Sequence, residues 1–387
     1  MVRLGDVCEI VLGSTPKTNV DEYWNGEIKW ITPAEIEENA HFISDTERHL
    51  TELGRKSAGL RIMPRGTVLL STRAPIGKVA IISEEMCCNQ GFKNFICSPE
   101  IHNNYIYYFL KNKTEYLNSL GNGATFKEIS KKIVEEIKIP LPPLDEQKRI
   151  ADVLDKASEL IKKRKEQIRL MDELAKSLFI EMFGDPVENP MGWEVTSLSS
   201  CVSSIENGHS PICNNIPRVD KMFGVLKLSA VTYGTYNENE NKALLDGTPF
   251  NSKIEVHNAD LLVTRKNTYE LVGMSAYVWK TDSGLMMSDL IFRLNTSGNV
   301  NKKYLWKLIN HKSFHENIKK LAGGSAGSMP NISKKRLMGL LIPLPPLLLQ
   351  NEFADRIAAI EQQKALLQNG LTKMETAYKA LMQEYFG

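Results

Sequence analysis

The hexapeptide Ile139-Pro140-Leu141-Pro142-Pro143-Leu144 returns as Ile342-Pro343-Leu344-Pro345-Pro346-Leu347, 203 positions further along the chain. The likeness continues without a gap: residues 129–184 align with 332–387, and 19 of the 56 positions are identical. Ile129-Ser130-Lys131-Lys132 matches Ile332-Ser333-Lys334-Lys335, Gln147 matches Gln350, Ala151-Asp152 matches Ala354-Asp355, and Phe183-Gly184 matches Phe386-Gly387. A repeat of this length means that one structural unit is present twice, so the fold is expected to be pseudo-symmetric. The 387 residues leave room for two domains and connecting elements.

After each Pro-Leu-Pro-Pro run comes a proline-free segment, Leu144 to Phe183 and Leu347 to Phe386, with Gly370 as the one glycine in the pair. Each is about 40 residues, roughly 60 Å if fully helical. Apolar residues recur near a 3.5-residue period. In the first segment they are Ile150, Leu154, Ala157, Ile161, Ile168, Met171, Ala175, Leu178 and Met182. In the second they are Phe353, Ile357, Ile360, Leu367, Leu371, Met374, Tyr378, Leu381 and Tyr385. The opposite faces are charged, as in Lys162-Lys163-Arg164-Lys165-Glu166. This is a coiled-coil pattern, and matched length and phase favour mutual pairing over two separate amphipathic helices. With one globular unit at each end, connectivity makes the pair antiparallel.

The intervening stretches, 1–143 and 187–346, read as mixed α/β. Strands are expected at Thr67 to Thr72, Val79 to Ile82 and Asp260 to Thr264. A helix is expected at Tyr105 to Leu120, matched by Lys303 to Leu321. Gly13-Ser14-Thr15-Pro16 parallels Gly208-His209-Ser210-Pro211, and Thr72-Arg73 is read as parallel to Thr264-Arg265. The predicted fold is therefore α/β (mixed α+β): two repeated globular domains, 1–143 and 187–346, separated by two long helices, 144–186 and 347–387, in an antiparallel coiled coil.

Catalytic patterns do not emerge. There is no G-x-x-x-x-G-K-[ST] phosphate loop and no G-x-G-x-x-G opening a helix. Asn189-Pro190-Met191-Gly192 lacks the second proline and the stacking ring of an amino-methyltransferase motif, so it reads as a turn. His311 and His315 stand i, i+4, but Lys312 replaces the glutamate of H-E-x-x-H, and they read as exposed surface histidines. No Asp–Glu–Lys set sits on paired strands as a PD-(D/E)-x-K nuclease would require. The six cysteines form no C-x-x-C pair and read as free buried thiols of a reducing, cytoplasmic setting. No apolar run reaches membrane-spanning length, and no signal-peptide core opens the chain. Net charge is only +2, yet residues 301–345 hold nine Lys or Arg against one acid, Glu316. Such a stretch suits phosphates or simply a solvated face.

Two variable α/β units, each followed by a Leu-Pro-Pro-Leu-x-x-Gln helix, resemble the DNA specificity subunits of type I restriction–modification systems. The carrying residues are Ile139 to Ile150 with Gln147, Phe183-Gly184-Asp185, and their second copies. The run from Gly66 through Ala74 to Lys78, and Cys88-Asn89-Gln90-Gly91-Phe92, look like features of that family's target recognition domains. The second unit departs from the pattern, with Ser288-Asp289-Leu290-Ile291 where an Asn-Gln-Gly-Phe copy is expected. The resemblance implies a non-catalytic subunit in which each unit reads one half of a bipartite site on double-stranded DNA. It implies that the helices set the spacer and dock two methyltransferase subunits, and that motor–nuclease subunits join through the complex. No cofactor is then expected in this chain: S-adenosylmethionine, Mg and ATP would belong to the partner subunits. Two alternatives stay open, the specificity subunit of another bipartite system with a fused nuclease–methylase partner, and a coiled-coil scaffold that binds no DNA.

Sequence reading requires hydrogen-bonding groups at base edges and cations at phosphates. Polar loop residues beside Gly or Pro are the candidates: Ser14, Thr15, Lys17, Arg73, Lys78 and Lys93 in the first unit, and His209, Ser210, Arg265, Lys266 and Asn267 in the second. Arg73 and Arg265 carry extra weight through their assumed repeat equivalence. Gly13 and Gly208 read as turn formers.

Overall fold

The computed structural model describes every residue except 38–39, 74, 122–126, 221 and 324–328. Ala74, within one of the family-like runs, therefore lies outside the described residues. The chain divides into two compact units, residues 1–166 with 368–387, and residues 167–367.

The first unit is built on a five-stranded sheet. Its strands are β1 (Cys8–Leu12), β2 (Phe42–Ile43), β3 (Val68–Ser71), β4 (Val79–Ile82) and β5 (Phe92–Cys97), in the spatial order β1-β5-β3-β4-β2. All neighbours are antiparallel except β2 and β4. The second unit repeats the first four positions with β6 (Val202–Asn207), β7 (Leu261–Thr264), β8 (Ser275–Tyr277) and β9 (Ile291–Thr296), in the order β6-β9-β7-β8. Each main sheet is accompanied by a three-stranded sheet, Trp24–Ile31 with Arg48–Leu50 and Cys87–Cys88, or Gly224–Leu226 with Asn241–Ala243 and Leu285–Met286.

Strands β3, β4 and β7 are apolar up to the terminal Ser71 and Thr264 because both faces are covered, and side chains alternate between faces with period two. Val68, Leu70, Val79 and Ile81 pack with Tyr105, Phe109 and Leu154, whereas Leu69, Ala80 and Ile82 pack with Ile31, Met63 and Phe92. In the second unit Leu261 and Val263 face Tyr304 and Phe353, and Leu262 faces the smaller sheet through Val225 and Leu285.

The helix expected from Tyr105 is two helices, α1 (Asn103–Asn112) and Thr114–Leu120, and its counterpart is α3 (Lys302–Ile309) and Lys312–Lys319. In the second unit Asn310 marks the break. Its amide bonds both backbone groups of edge residue Ser275, at 2.9 and 2.8 Å, and so caps the sheet edge instead of continuing the helix. The histidine expectation is corrected here too. The helix Lys312–Lys319 turns Phe314, His315 and Ile318 inward, so His315 is buried and burial lowers its pKa, while His311 stacks on Phe179.

The long helices are α2 (Leu144–Phe183) and α4 (Leu347–Phe386), each 40 residues. α2 stops where Gly184 adopts φ 76° and its amide bonds Ile180 O, a helix end that an L side chain resists. In the first unit Ile150 and Leu154 share a core with Met382 and Phe386, and Lys165 pairs with Glu375 at 2.9 Å. In the second unit Lys364 pairs with Asp172, while Phe183 meets Phe353 at 5.2 Å. Within each unit the helices thus run antiparallel. Mid-helix seam residues such as Ile161, Ile168, Leu371 and Met374 are only half-buried, as a two-helix seam allows. A Cβ on Gly370 would stand 2.3 Å from the Arg164 guanidinium, so this helical glycine makes room for an arginine at the seam.

The two Pro-Leu-Pro-Pro-Leu-x-x-Gln runs have a common structural task. Gln147, fully buried, accepts from His102 N at 2.9 Å and donates to Glu100 O and Pro142 O at 3.0 and 2.8 Å. Gln350, also fully buried, accepts from Asn301 N at 2.8 Å and donates to Pro345 O at 2.7 Å. Tyr105 and Tyr304 donate to Pro140 O and Pro343 O in matching fashion. Each glutamine thereby ties the start of a long helix to the start of α1 or α3.

Candidate nucleic-acid interface

Strand direction gathers the candidate residues. β1 leaves the sheet at Leu12 opposite Lys93, and β3 leaves at Ser71 opposite Phe92, where β5 begins. The loop residues 13–17, 72–73, 75–78 and 88–91 therefore meet at one end of the first sheet. In the second unit β6 ends at Asn207 opposite Phe292, and β7 ends at Thr264 opposite Ile291. Loops 208–211, 265–267 and 287–290 meet at the same end.

Gly13 and Gly208 are the closest approaches in these loops. A Cβ on Gly13 would fall 2.0 Å from Asn89 O, and one on Gly208 would fall 2.1 Å from Ser288 O. Ser14 N then bonds Cys88 O, and His209 N bonds Met287 O, both at 3.0 Å. Next in line, the Thr15 hydroxyl bonds Gln90 Oε1 and the Ser210 hydroxyl bonds Asp289 Oδ1. The segment 287–290 thus occupies the place of 88–91 although its residues differ. The sequence already sets Asp289 in the place of Gln90, but neither is among the candidate contacts, since their side chains differ and only the backbone path repeats.

The other candidates separate. Lys17 is exposed, and its carbonyl accepts from Trp24 Nε1. Lys78 directs its ammonium to Pro33 O and Ile36 O, at 3.0 and 2.7 Å, and so ties down a turn of its own unit. Lys93 is 5% exposed and bonds Thr72 Oγ1 and Glu128, both at 3.2 Å. Asn267 is likewise buried and donates to Thr232 Oγ1 at 3.1 Å. His209 and Ser210 are exposed, and Arg265 and Lys266 are half-buried.

The assumed equivalence of Arg73 and Arg265 is corrected by strand register. Ser71 pairs with Phe92, and Thr264 pairs with Ile291, at the matching place. One residue on, Thr72 N bonds Gly91 O and Thr72 O accepts from Ile129 N. Arg265 makes the same two bonds, to Leu290 O and from Ile332 N. Arg265 therefore stands at the place of Thr72, and Arg73 at the place of Lys266. This is consistent with the bridges Arg73–Glu128 and Lys266–Asn331. A shared Thr-Arg dipeptide had disguised a one-residue offset.

Around these positions the two units differ in charge. In the first, Glu128 receives Arg73 Nε at 2.9 Å and Lys93 Nζ at 3.2 Å. Partial burial pushes the Glu128 carboxyl upward, but the hydrogen bonds from Arg73 and Lys93 outweigh it and hold the pKa below the usual value. In the second, the residue in the place of Glu128 is Asn331, which accepts from Arg265 Nε at 3.1 Å. Arg265 Nη1 reaches Asn207 Oδ1 at 3.3 Å, and its guanidinium carbon lies 5.5 Å from the Phe292 ring centroid.

The basic stretch 301–345 is not one surface. Lys303 lies over Trp279 and bonds Ala354 O, Lys307 pairs with Glu361, and Lys319 pairs with Glu270 and Glu316. Lys334 and Lys335 are exposed beside Asn331 in sequence. Among the described residues no group of three or more His, Cys, Asp or Glu is arranged to hold a metal.

A family model described as the type I restriction modification DNA specificity domain matches residues 1–170 and again 190–375. The chain belongs to this type I specificity family. The double match falls on the two repeats. The specificity subunit of the type I restriction enzyme MjaIX from Methanocaldococcus jannaschii is 37% identical over 247 residues, which is 59% of this chain and 56% of that protein. The chain thus spans little more than half of that relative. The MjaVIII specificity subunit of the same organism is 25% identical over 410 residues, 99% of this chain and 90% of that protein. In fold, the chain is similar to the type I restriction-modification S subunit from M. genitalium, with a TM-score of 0.61, 13% identity, and 100% and 95% of the two chains covered. No helix among the described residues of this family member is long and apolar enough to cross a membrane.

Proposed function

We propose that this chain is the sequence-reading subunit of a type I restriction–modification complex. In this reading residues 1–143 and 187–346 are target recognition domains, each contacting one half of a bipartite site on double-stranded DNA. The segments 144–186 and 347–387 set the half-site spacing and dock two methyltransferase subunits, and motor–nuclease subunits join through the assembly. The chain itself is non-catalytic and acts in the cytoplasm. S-adenosylmethionine, Mg and ATP serve the partners.

The observation that carries the reading is the double family match laid over two structurally equivalent loop clusters. Each cluster has a glycine contact, a hydroxyl-to-amide or hydroxyl-to-carboxylate bond, and cations at one sheet end. The scaffolds agree while the side chains at the loops differ, as two readers of two sequences require. On this reading Ser14 and Thr15 face DNA in the first unit, and His209, Ser210, Arg265 and Lys266 in the second, while Arg73 is held by Glu128 and positions its loop. Lys78, Lys93 and Asn267 support those loops from beneath.

Exchange of residues 1–143 for the equivalent unit of a relative tests the division of labour. The expected outcome is a methylated motif changed in one half and intact in the other, read by methylome sequencing. Change in both halves refutes independent reading. Absence of any motif-dependent methylation in a strain carrying the unaltered chain with its methyltransferase refutes the function itself.

A further inference from the structure

We infer that Arg265 is the guanine-reading residue of the second unit and that the first unit has no counterpart to it, so the two halves of the site are read by different chemistry. The inference rests on the proposed DNA-reading function and goes beyond it by assigning one side chain to one base type and by separating the units.

Both units place a cation where the central strand leaves the sheet, but they supply it from different strands. In the first, the strand-exit residue is Thr72, and the cation is Lys93 from the neighbouring strand β5. That lysine is buried, and Glu128 pairs with both it and Arg73. A carboxylate between two cations neutralises much of the cluster and holds it against the protein. In the second, the strand-exit residue is Arg265 itself, and the place of Lys93 is taken by Phe292, a flat apolar support.

The groups that hold Arg265 are neutral. Asn331 Oδ1 takes Nε at 3.1 Å and Asn207 Oδ1 takes Nη1 at 3.3 Å. Asn331 is itself fixed by backbone bonds to and from Gly323, at 2.9 and 3.0 Å, and Asn207 donates to Gly208 O. Among the described residues Arg265 has no ion-pair partner. A guanidinium has five donors in one plane. Two of them are anchored here by amide oxygens, so the plane is oriented without its charge being cancelled. An oriented, charged fork is what bidentate recognition of guanine O6 and N7 requires, and a lysine cannot reproduce it. In the first unit Arg73 bonds Glu128 through the same Nε, but there the anchor is a carboxylate. Arg73 is thereby a loop-positioning residue.

The test uses the full-length chain expressed with its methyltransferase partner, with methylome sequencing and a binding titration on the unaltered motif. Arg265→Lys keeps the charge and Arg265→Ala removes it. Both are expected to relax one guanine position in one half-site and to weaken binding of the unaltered motif by about 10- to 100-fold. Asn331→Glu, which gives the second unit the carboxylate of the first, is expected to do the same at the same position while thermal unfolding of the chain stays in place. Arg73→Ala is expected to leave the base identity of both half-sites unchanged. Uniform weakening by Arg265→Ala on every sequence, with a shallower salt dependence and no relaxed position, shows a phosphate contact and overturns the inference while leaving the specificity function standing. A relaxed position in the other half-site for Arg73→Ala overturns the asymmetry. Full retention of the motif by Arg265→Lys overturns bidentate reading.

Discussion

Replacing Gln147 by methionine removes hydrogen bonding at a fully buried position while nearly keeping side-chain volume, so packing is not the variable. The structure gives the size of the effect. Three partners lose a bond: the His102 amide at 2.9 Å, Glu100 O at 3.0 Å and Pro142 O at 2.8 Å. At about 1 kcal/mol for each group left unpaired, Gln147→Met should cost about 3 kcal/mol. Gln350 has two such bonds, to Asn301 N and Pro345 O, and Gln350→Met should cost about 2 kcal/mol on the same scale. The repeat thus contains its own control, with the ranking fixed before measurement. At roughly 2–4 °C per kcal/mol for a unit of this size, the first substitution should lower its melting temperature by about 6–12 °C. Calorimetry of the full chain reads the shift, and denaturant unfolding followed by tryptophan fluorescence supports the assignment to a unit. Trp24 and Trp30 report on the first unit, and Trp193, Trp279 and Trp306 on the second. Hydrogen exchange at the His102 amide supplies a local readout, because that amide should lose protection when its acceptor is gone. A Gln147→Met protein within 0.5 kcal/mol of the unaltered chain (about the scatter of surface substitutions), with His102 still protected, would refute the clamp.

Two further outcomes are expected. Insertion of four residues after Lys163 lengthens α2 by about 6 Å, close to two base-pair steps of about 3.4 Å, and shifts the helix phase by a tolerable stutter. Methylome sequencing should therefore show both half-sites kept and the spacer longer by about one or two base pairs, and an unchanged spacer at full activity would exclude the helices as its determinant. Glu128 gives a pH dependence: its folded pKa is depressed, so between the unfolded and folded values the unfolded chain binds the extra proton. Its contribution is complete above the ordinary glutamate pKa of about 4.3 and is lost as pH falls through the lower folded value, so Glu128→Gln should flatten the acid limb of the urea-midpoint profile below about pH 4.5.

What the sequence determined by itself is everything that local periodicity and internal repetition encode. The starts of α2 and α4 at Leu144 and Leu347 followed from where proline stops and the heptad-like pattern begins, because helix formation is governed by neighbours three and four positions away, whereas the ends at Phe183 and Phe386 fall short of the expected 186 and 387. The strands at 68–71, 79–82 and 261–264 were legible for a similar reason, as short apolar runs covered on both faces. The correspondence of Gly13 with Gly208 survived because a close backbone contact tolerates no other residue there. Tertiary structure decided the rest. That Gln147 and Gln350 are clamps depends on His102 and Asn301, some 45 and 49 residues away. The equivalence of Arg265 with Thr72, rather than of Arg73 with Arg265, depends on pairing with β9 and on the bond from Ile332, and no local window contains those partners. Glu128 and Asn331 drew no notice in the sequence, being single polar residues just ahead of the aligned repeat. Whether a cation is cancelled or left to act is set by what packs beside it, and for Lys93 and Arg265 those neighbours come from strands and loops distant in the chain.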